Sequence, residues 1–97
     1  PATPYSQALA QLPTLAASMQ FGVLTDGSAT FSYERDTVLA TQVLYQALAS
    51  PDLIDWTAMP VPPQIVNLGN GFERVTHTFP PPLSASLHGK VVLAPLP

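Results

Sequence analysis

The chain has no cysteine, which excludes a disulfide scaffold and a thiolate metal site but leaves the compartment open, because many secreted bacterial domains lack disulfides. Charge is scarce: three Lys and Arg against six Asp and Glu give a formal net charge of -3. Charged residues make up 9% of the sequence, where roughly a quarter is usual, so Thr, Ser, Gln, Asn, Pro and Ala must cover most of the surface. Three basic residues cannot line a phosphate-tracking groove, and a net negative charge repels a polyanion, which argues against nucleic acid as a partner. No apolar run approaches the roughly 20 residues that cross a bilayer, so no membrane-spanning segment is expected. No basic segment precedes a short apolar one either, so an export signal would lie upstream of Pro1. The opening P-A-T-P reads as an interior fragment, a processed terminus or a trimmed boundary. So little charge does little to keep molecules apart, and this points to an assembly or to one piece of a longer polypeptide.

What is present is β pattern and turn chemistry. Ninety-seven residues suit one domain with a modest core. The organising stretch runs from Val43 to Trp56. Val43, Tyr45, Ala47 and Ala49 alternate along one face of a strand. Ser50, Pro51 and Asp52 stop it with a missing ladder donor and side chains that take up turn hydrogen bonds. Leu53, Ile54 and Trp56 then supply the largest apolar group in the chain, and Trp56 is expected as a plug in the core or between sheets. Leu44 and Leu48 make the opposite face of that strand more apolar than water requires, so either the N-terminal segment or a partner should cover it.

Upstream, Met19 to Leu24 begins the alternation, Asp26-Gly27 signals a hairpin, and Ala29, Phe31 and Tyr33 alternate with Thr30, Ser32 and Glu34. Downstream, Met59 to Pro63 is a rigid extended run, and Gln64 to Leu68 is a short strand. Gly69-Asn70-Gly71 is a second turn, and Phe72 to Phe79 is a strand ended by prolines 80 to 82. Leu87 to Leu93 is the last strand, interrupted at Gly89 and stopped by Pro95. Pro1 to Pro4 should be extended. Ser6 to Leu12 is the one helical candidate, capped by Ser6 and ended by Pro13, with an irregular linker as the alternative. Thr14 to Ser18 has no clear period. The expected architecture is all-β: a small antiparallel β-sandwich over residues 19–97, preceded by a Pro- and Ala-rich N-terminal extension or linker over residues 1–18.

Three segments carry a resemblance: F-S-Y-E-R (Phe31 to Arg35), Y-Q-A-L-A-S-P-D-L-I-D-W-T (Tyr45 to Thr57) and G-N-G-F-E-R-V-T (Gly69 to Thr76). Together they resemble a C-terminal all-β module of secreted or surface proteins of Verrucomicrobia and related bacteria, over about Phe21 to Leu93. The resemblance implies an extracellular or cell-surface, non-catalytic accessory domain and names no ligand. Leu48 stands where that module usually has a polar residue, which implies a covered face. Asn70 stands where it often has Asp, which weakens a calcium site in that loop.

Chemistry-bearing residues are few. Trp56 could serve as a stacking platform for a sugar, and Tyr33 and Tyr45 are expected to face the core. Tyr5, in the Pro-rich terminus, is the better candidate for contact with a neighbour. His77 and His88 stand eleven residues apart without a local ligand spacing, which argues against zinc or a general base. Ser84, Ser86 and His88 lack a nucleophile elbow and an acidic orienter. Asp52 and Asp55 are too few for calcium, and Asp52 is better read as a turn cap. Glu34, Arg35, Glu73 and Arg74 should pair across adjacent strands or lie over an aromatic ring. No cofactor is expected. The function read from these features is a structural or interaction module, with copies of itself or the rest of a longer polypeptide as partner. A carbohydrate-binding accessory domain, with a glycan as partner, is the alternative.

Overall fold

A computed structural model describes residues 3–59, 62–79 and 88–96. The expected stop at prolines 80 to 82, the Ser84 and Ser86 pair, the strand start at Leu87 and the Pro60-Val61 part of the extended run lie outside the described residues.

Two antiparallel sheets form the sandwich. The first has the order β1 (Gln20–Val23), β2 (Ala29–Asp36), β6 (Phe72–Phe79), β5 (Gln64–Asn67). The second has β4 (Thr57–Ala58), β3 (Val43–Ser50), β7 (His88–Pro95). Both sequence turns close hairpins. Leu24 donates its N–H to Ser28 and Leu68 donates its N–H to Phe72, and the backbone at Gly27 and Gly71 has positive φ, 86° and 88°, a conformation that glycine adopts without a Cβ penalty. The chain passes from β2 to β3 through a short 3-10 turn, Leu39–Thr41. Asp36 Oδ1 starts that turn by accepting from the N–H groups of Val38 and Leu39.

The inner faces follow the alternation. Phe31, Tyr33 and Ala29 of β2 meet Val75 and Phe79 of β6, and Ala47 and Ala49 of β3 close on them from the second sheet. Phe31 and Val75 are fully buried. At Gly89 the first sheet's aromatic rings press on the backbone of the second. A Cβ there would lie 2.9 Å from Phe21 Cζ and 3.2 Å from the Phe31 ring. Gly89 is therefore not an interruption of β7, which runs on past it to Pro95 in register with Val43.

The N-terminal segment departs most from expectation. It forms two helices, α1 (Pro4–Ala10) and α2 (Leu12–Ser18). Thr3, not Ser6, is the N-cap of α1; its side chain accepts from Ser6 N–H while the Ser6 hydroxyl satisfies Thr3, a reciprocal box. Pro13 does not end a helix but lies in the first turn of α2, where a missing N–H costs nothing. Heptamers this short need tertiary support. Ala8 supplies it by packing with Leu39, Val43 and Leu93, and Leu15 by packing into the main cluster. The Ser18 hydroxyl accepts from Glu34 N–H at 2.8 Å, at the stretch of the β2 edge beyond the end of β1. Residues 3–18 thus close one end of the sandwich from the inner side, and they do not lie over Leu44 and Leu48.

Candidate functional site

The outer faces of the two sheets differ in chemistry. On the first, Thr30, Glu34, Arg74, Thr76 and Thr78 point away from the core by register. Glu34 and Arg74 are joined there at 2.6 Å. This is the wet face that the alternation predicts. On the second, Leu44, Gln46 and Leu48 of β3 stand opposite Ala94, Val92 and Lys90 of β7, and Ala58 of β4 stands beside Leu48. Residues paired in register share a face, so one sheet presents a nearly uncharged surface. Leu44 is 44% exposed and Val92 is 39% exposed. The sequence pointed to Leu44 and Leu48 as an anomalous face; Val92 was missed because only the pairing of β3 with β7 brings it beside them.

Trp56 belongs to this face. Strand β4 resumes at Thr57, opposite Ala49, and sets Ala58 opposite Leu48, so a side chain two positions before Ala58 falls on the outer side. The indole is half-buried, with the Lys90 ammonium 4.2 Å from its ring centroid. Trp56 is therefore not the expected plug of the core: it is absent from both buried clusters, and its burial comes from neighbours on the outer surface. The one cation of the face lies over the ring, attracted by the negative face of the aromatic quadrupole.

Leu53 and Ile54, the rest of that apolar group, also lie outside the core. They are exposed at 59% and 78%, at the tip of the loop that leads to Trp56. The cause is the hydrogen bonding of the turn. The buried Ser50 hydroxyl accepts from Asp52 N–H and Leu53 N–H and donates to Asp52 Oδ1. The same carboxylate oxygen accepts from Ile54 N–H and Asp55 N–H, both at 2.9 Å. Asp52 is thus the turn cap, and the set directs the backbone away from the sheet. It also holds Leu53 at φ 65°, the one positive-φ residue other than glycine among the described residues. A left-handed backbone costs a residue with a Cβ about 1–2 kcal/mol. Leu53→Gly is accordingly expected to raise stability by up to about 1 kcal/mol, net of the extra entropy of glycine in the unfolded chain, measured by urea denaturation. A loss of stability would mean that Leu53 makes a contact stronger than its strain.

The hydrogen bonds from Asp55, Ile54 and Ser50 hold the Asp52 carboxyl below its ordinary range. A carboxyl depressed in the folded state contributes stability that is complete above its unfolded value, about 4, and is lost as pH falls through the folded value. Acidification from about pH 5 to about pH 2 is expected to lower the protection of the Ile54 and Asp55 amides, measured as exchange relative to the intrinsic rate at each pH, before the sheets open. Unchanged protection of both amides over that range would contradict this.

The remaining candidates are dispersed. Tyr33 is 2% exposed, and burial pushes its hydroxyl above the ordinary range while Arg35 opposes the shift. Tyr45 is half-buried and touches both clusters, with the Arg35 guanidinium carbon 5.4 Å from its ring centroid. Arg35 also binds Glu73 at 2.7 Å, so it meets both an aromatic ring and a cross-strand carboxylate. A cavity of about 10 Å³, the room of one water, lies there between Ala8, Gln11, Arg35 and Tyr45. Tyr5, half-buried, packs on the cluster around Val43. His77 faces inward on β6 and stacks on Tyr33, while His88 starts β7 in the other sheet. Among the described residues no group of three or more His, Cys, Asp or Glu could hold a metal ion, and no helix is long and apolar enough to cross a membrane.

No protein-family model matches the chain, and no curated protein matches it significantly. The resemblance at Phe31 to Arg35, Tyr45 to Thr57 and Gly69 to Thr76 therefore stands on those motifs alone.

Proposed function

We propose that this chain is a non-catalytic structural or interaction module of an extracellular bacterial protein or surface polymer. In this reading it binds another protein surface of similarly low charge, a further copy or the rest of a longer polypeptide, through the outer face of its second sheet. The observation that carries the reading is the composition of that face: Leu44, Leu48, Val92, Ala94 and Ala58 share it with Gln46 and a single cation, Lys90, whose ammonium lies over Trp56. An apolar sheet face left in water is a liability, whereas one rimmed by so little charge suits a protein contact. The three motif segments support an extracellular setting.

The carbohydrate reading depends on aromatic rings sharing one exposed face, and Tyr33 lies in the core instead. Trp56, the single tryptophan, reports directly on the proposed surface. As concentration rises, the native mass from sedimentation is expected to exceed one copy while Trp56 emission moves to shorter wavelength. Leu44→Lys should reverse the emission shift without unfolding the chain. Unchanged Trp56 emission at every concentration, together with glycan binding that quenches Trp56, would overturn the proposal in favour of the carbohydrate-binding alternative.

A further inference from the structure

We propose that strand β1 is a second contact surface, at which two copies of the chain join edge to edge into one continuous sheet. The inference rests on the interaction-module reading but uses a different part of the molecule. Leu24 N–H bonds to Ser28 across the hairpin, and the register then turns Gly22 and Gln20 toward β2. The alternation of an antiparallel ladder leaves the N–H and C=O groups of Phe21 and Val23 pointing to the free edge. Among the described residues no strand pairs on that side of β1. The side chains of the same two residues are exposed at 53% and 78%.

The other edges are defended and this one is not. Strand β5 is preceded by Pro62 and Pro63, which have no N–H to offer. Strand β7 carries Lys90 and ends at Pro95, and β4 is two residues long. Short strands, lysine and proline are the usual means of blocking an edge. From Met19 to Thr25 there is neither a charged residue nor a proline.

The occupant follows from the symmetry of the sequence around Gly22. A two-fold axis perpendicular to the sheet, midway between the Gly22 residues of two copies, places Phe21 opposite Val23 of the second copy and Val23 opposite its Phe21. Each opposed pair exchanges both backbone hydrogen bonds, and each joins two apolar side chains on the same face. Gly22 meets Gly22 on the other face without side chains to collide. The contact is isologous and closes as a dimer. Self-pairing of β5 in the equivalent register, centred on Val66, would set Ile65 against Asn67 and lacks this match.

The experiment uses the full chain and combines sedimentation with residue-resolved amide hydrogen exchange over a concentration series. The expected result is a mass of two copies or more at high concentration, with the amides of Phe21 and Val23 becoming protected as that mass appears. Val23→Lys, at an exposed site, should weaken association at least about tenfold and abolish that protection while circular dichroism stays unchanged. Val23→Pro, which removes an outward N–H but no bond to β2, should do the same. Association that leaves the Phe21 and Val23 amides unprotected, and that Leu44→Lys abolishes while Val23→Lys does not, would overturn the edge contact and leave the sheet-face reading intact. A mass of one copy at every concentration would also overturn the edge contact.

Discussion

Phe31→Ala is expected to cost about 3–5 kcal/mol, a large part of the roughly 5–15 kcal/mol that holds a domain of this kind folded. Phe31 has no exposed surface. Its ring lies 4.9 Å from that of Phe21 and 6.1 Å from that of Tyr33, and it bears on Gly89 of the opposite sheet. Truncation removes the side chain that both sheets share, and a rigid sandwich can collapse only partly into the space. Phe21→Ala, at a half-exposed edge position, removes the same atoms and should cost about 1–2 kcal/mol. Urea denaturation of the two variants gives the comparison: the midpoint should fall much further for Phe31→Ala with the slope unchanged. Equal losses would mean that the core is centred elsewhere.

Gly89→Ala is expected to cost about 1–3 kcal/mol although it adds a single methyl group. That group would sit 2.9 Å from Phe21 Cζ and 3.2 Å from two atoms of Phe31, so a ring must move or the sheets must separate. Phe31 cannot move without disturbing Tyr33 and Val75, whereas Phe21 can swing toward solvent. The double variant with Phe21→Ala should therefore lose less than the sum of the two single losses. Coupling of this kind is the expected behaviour of residues in contact, and strict additivity in a double-mutant cycle would place Gly89 outside the inter-sheet contact.

The strands were legible in the sequence because alternation and turn chemistry agree there. Phe31 and Tyr33 alternate with polar residues, and Asp26-Gly27 and Gly69-Asn70-Gly71 are turns whose glycines supply the required φ. The helices were half legible. Pro13 was read as a stop when it serves as a start, since a proline fits both the position after a helix and the first turn of one. Thr14 to Ser18 has too few large apolar residues to show a period, and only Leu15 enters the core. Trp56 was misread for another reason. Bulk alone suggested the interior, but the hydrogen bonds of Ser50 and Asp52 decide where the chain goes, and those depend on a buried hydroxyl. Of the outer face, Leu44 and Leu48 were visible as an anomaly. Val92 and Lys90 were not, because the pairing that brings them there is non-local.

The crossed pairing of the strands has a consequence for how the chain reaches this state. Hairpins β1–β2 and β5–β6 are local, but β2 and β6 are joined by residues 38 and 40 positions apart. Loop closure must precede any reward from such contacts, which places folding in the millisecond-to-second range typical of sandwiches. Where the two hairpins pair, the error to avoid is a slip along the strands. Glu34 opposite Arg74 and Arg35 opposite Glu73 guard against it. A slip of one residue in one direction sets Arg35 against Arg74, and in the other Glu34 against Glu73. Like charges directly opposite are unfavourable, and either slip also turns Phe31 and Tyr33 to the wrong face. Four of the few charged residues in the chain thus discriminate against both neighbouring misalignments.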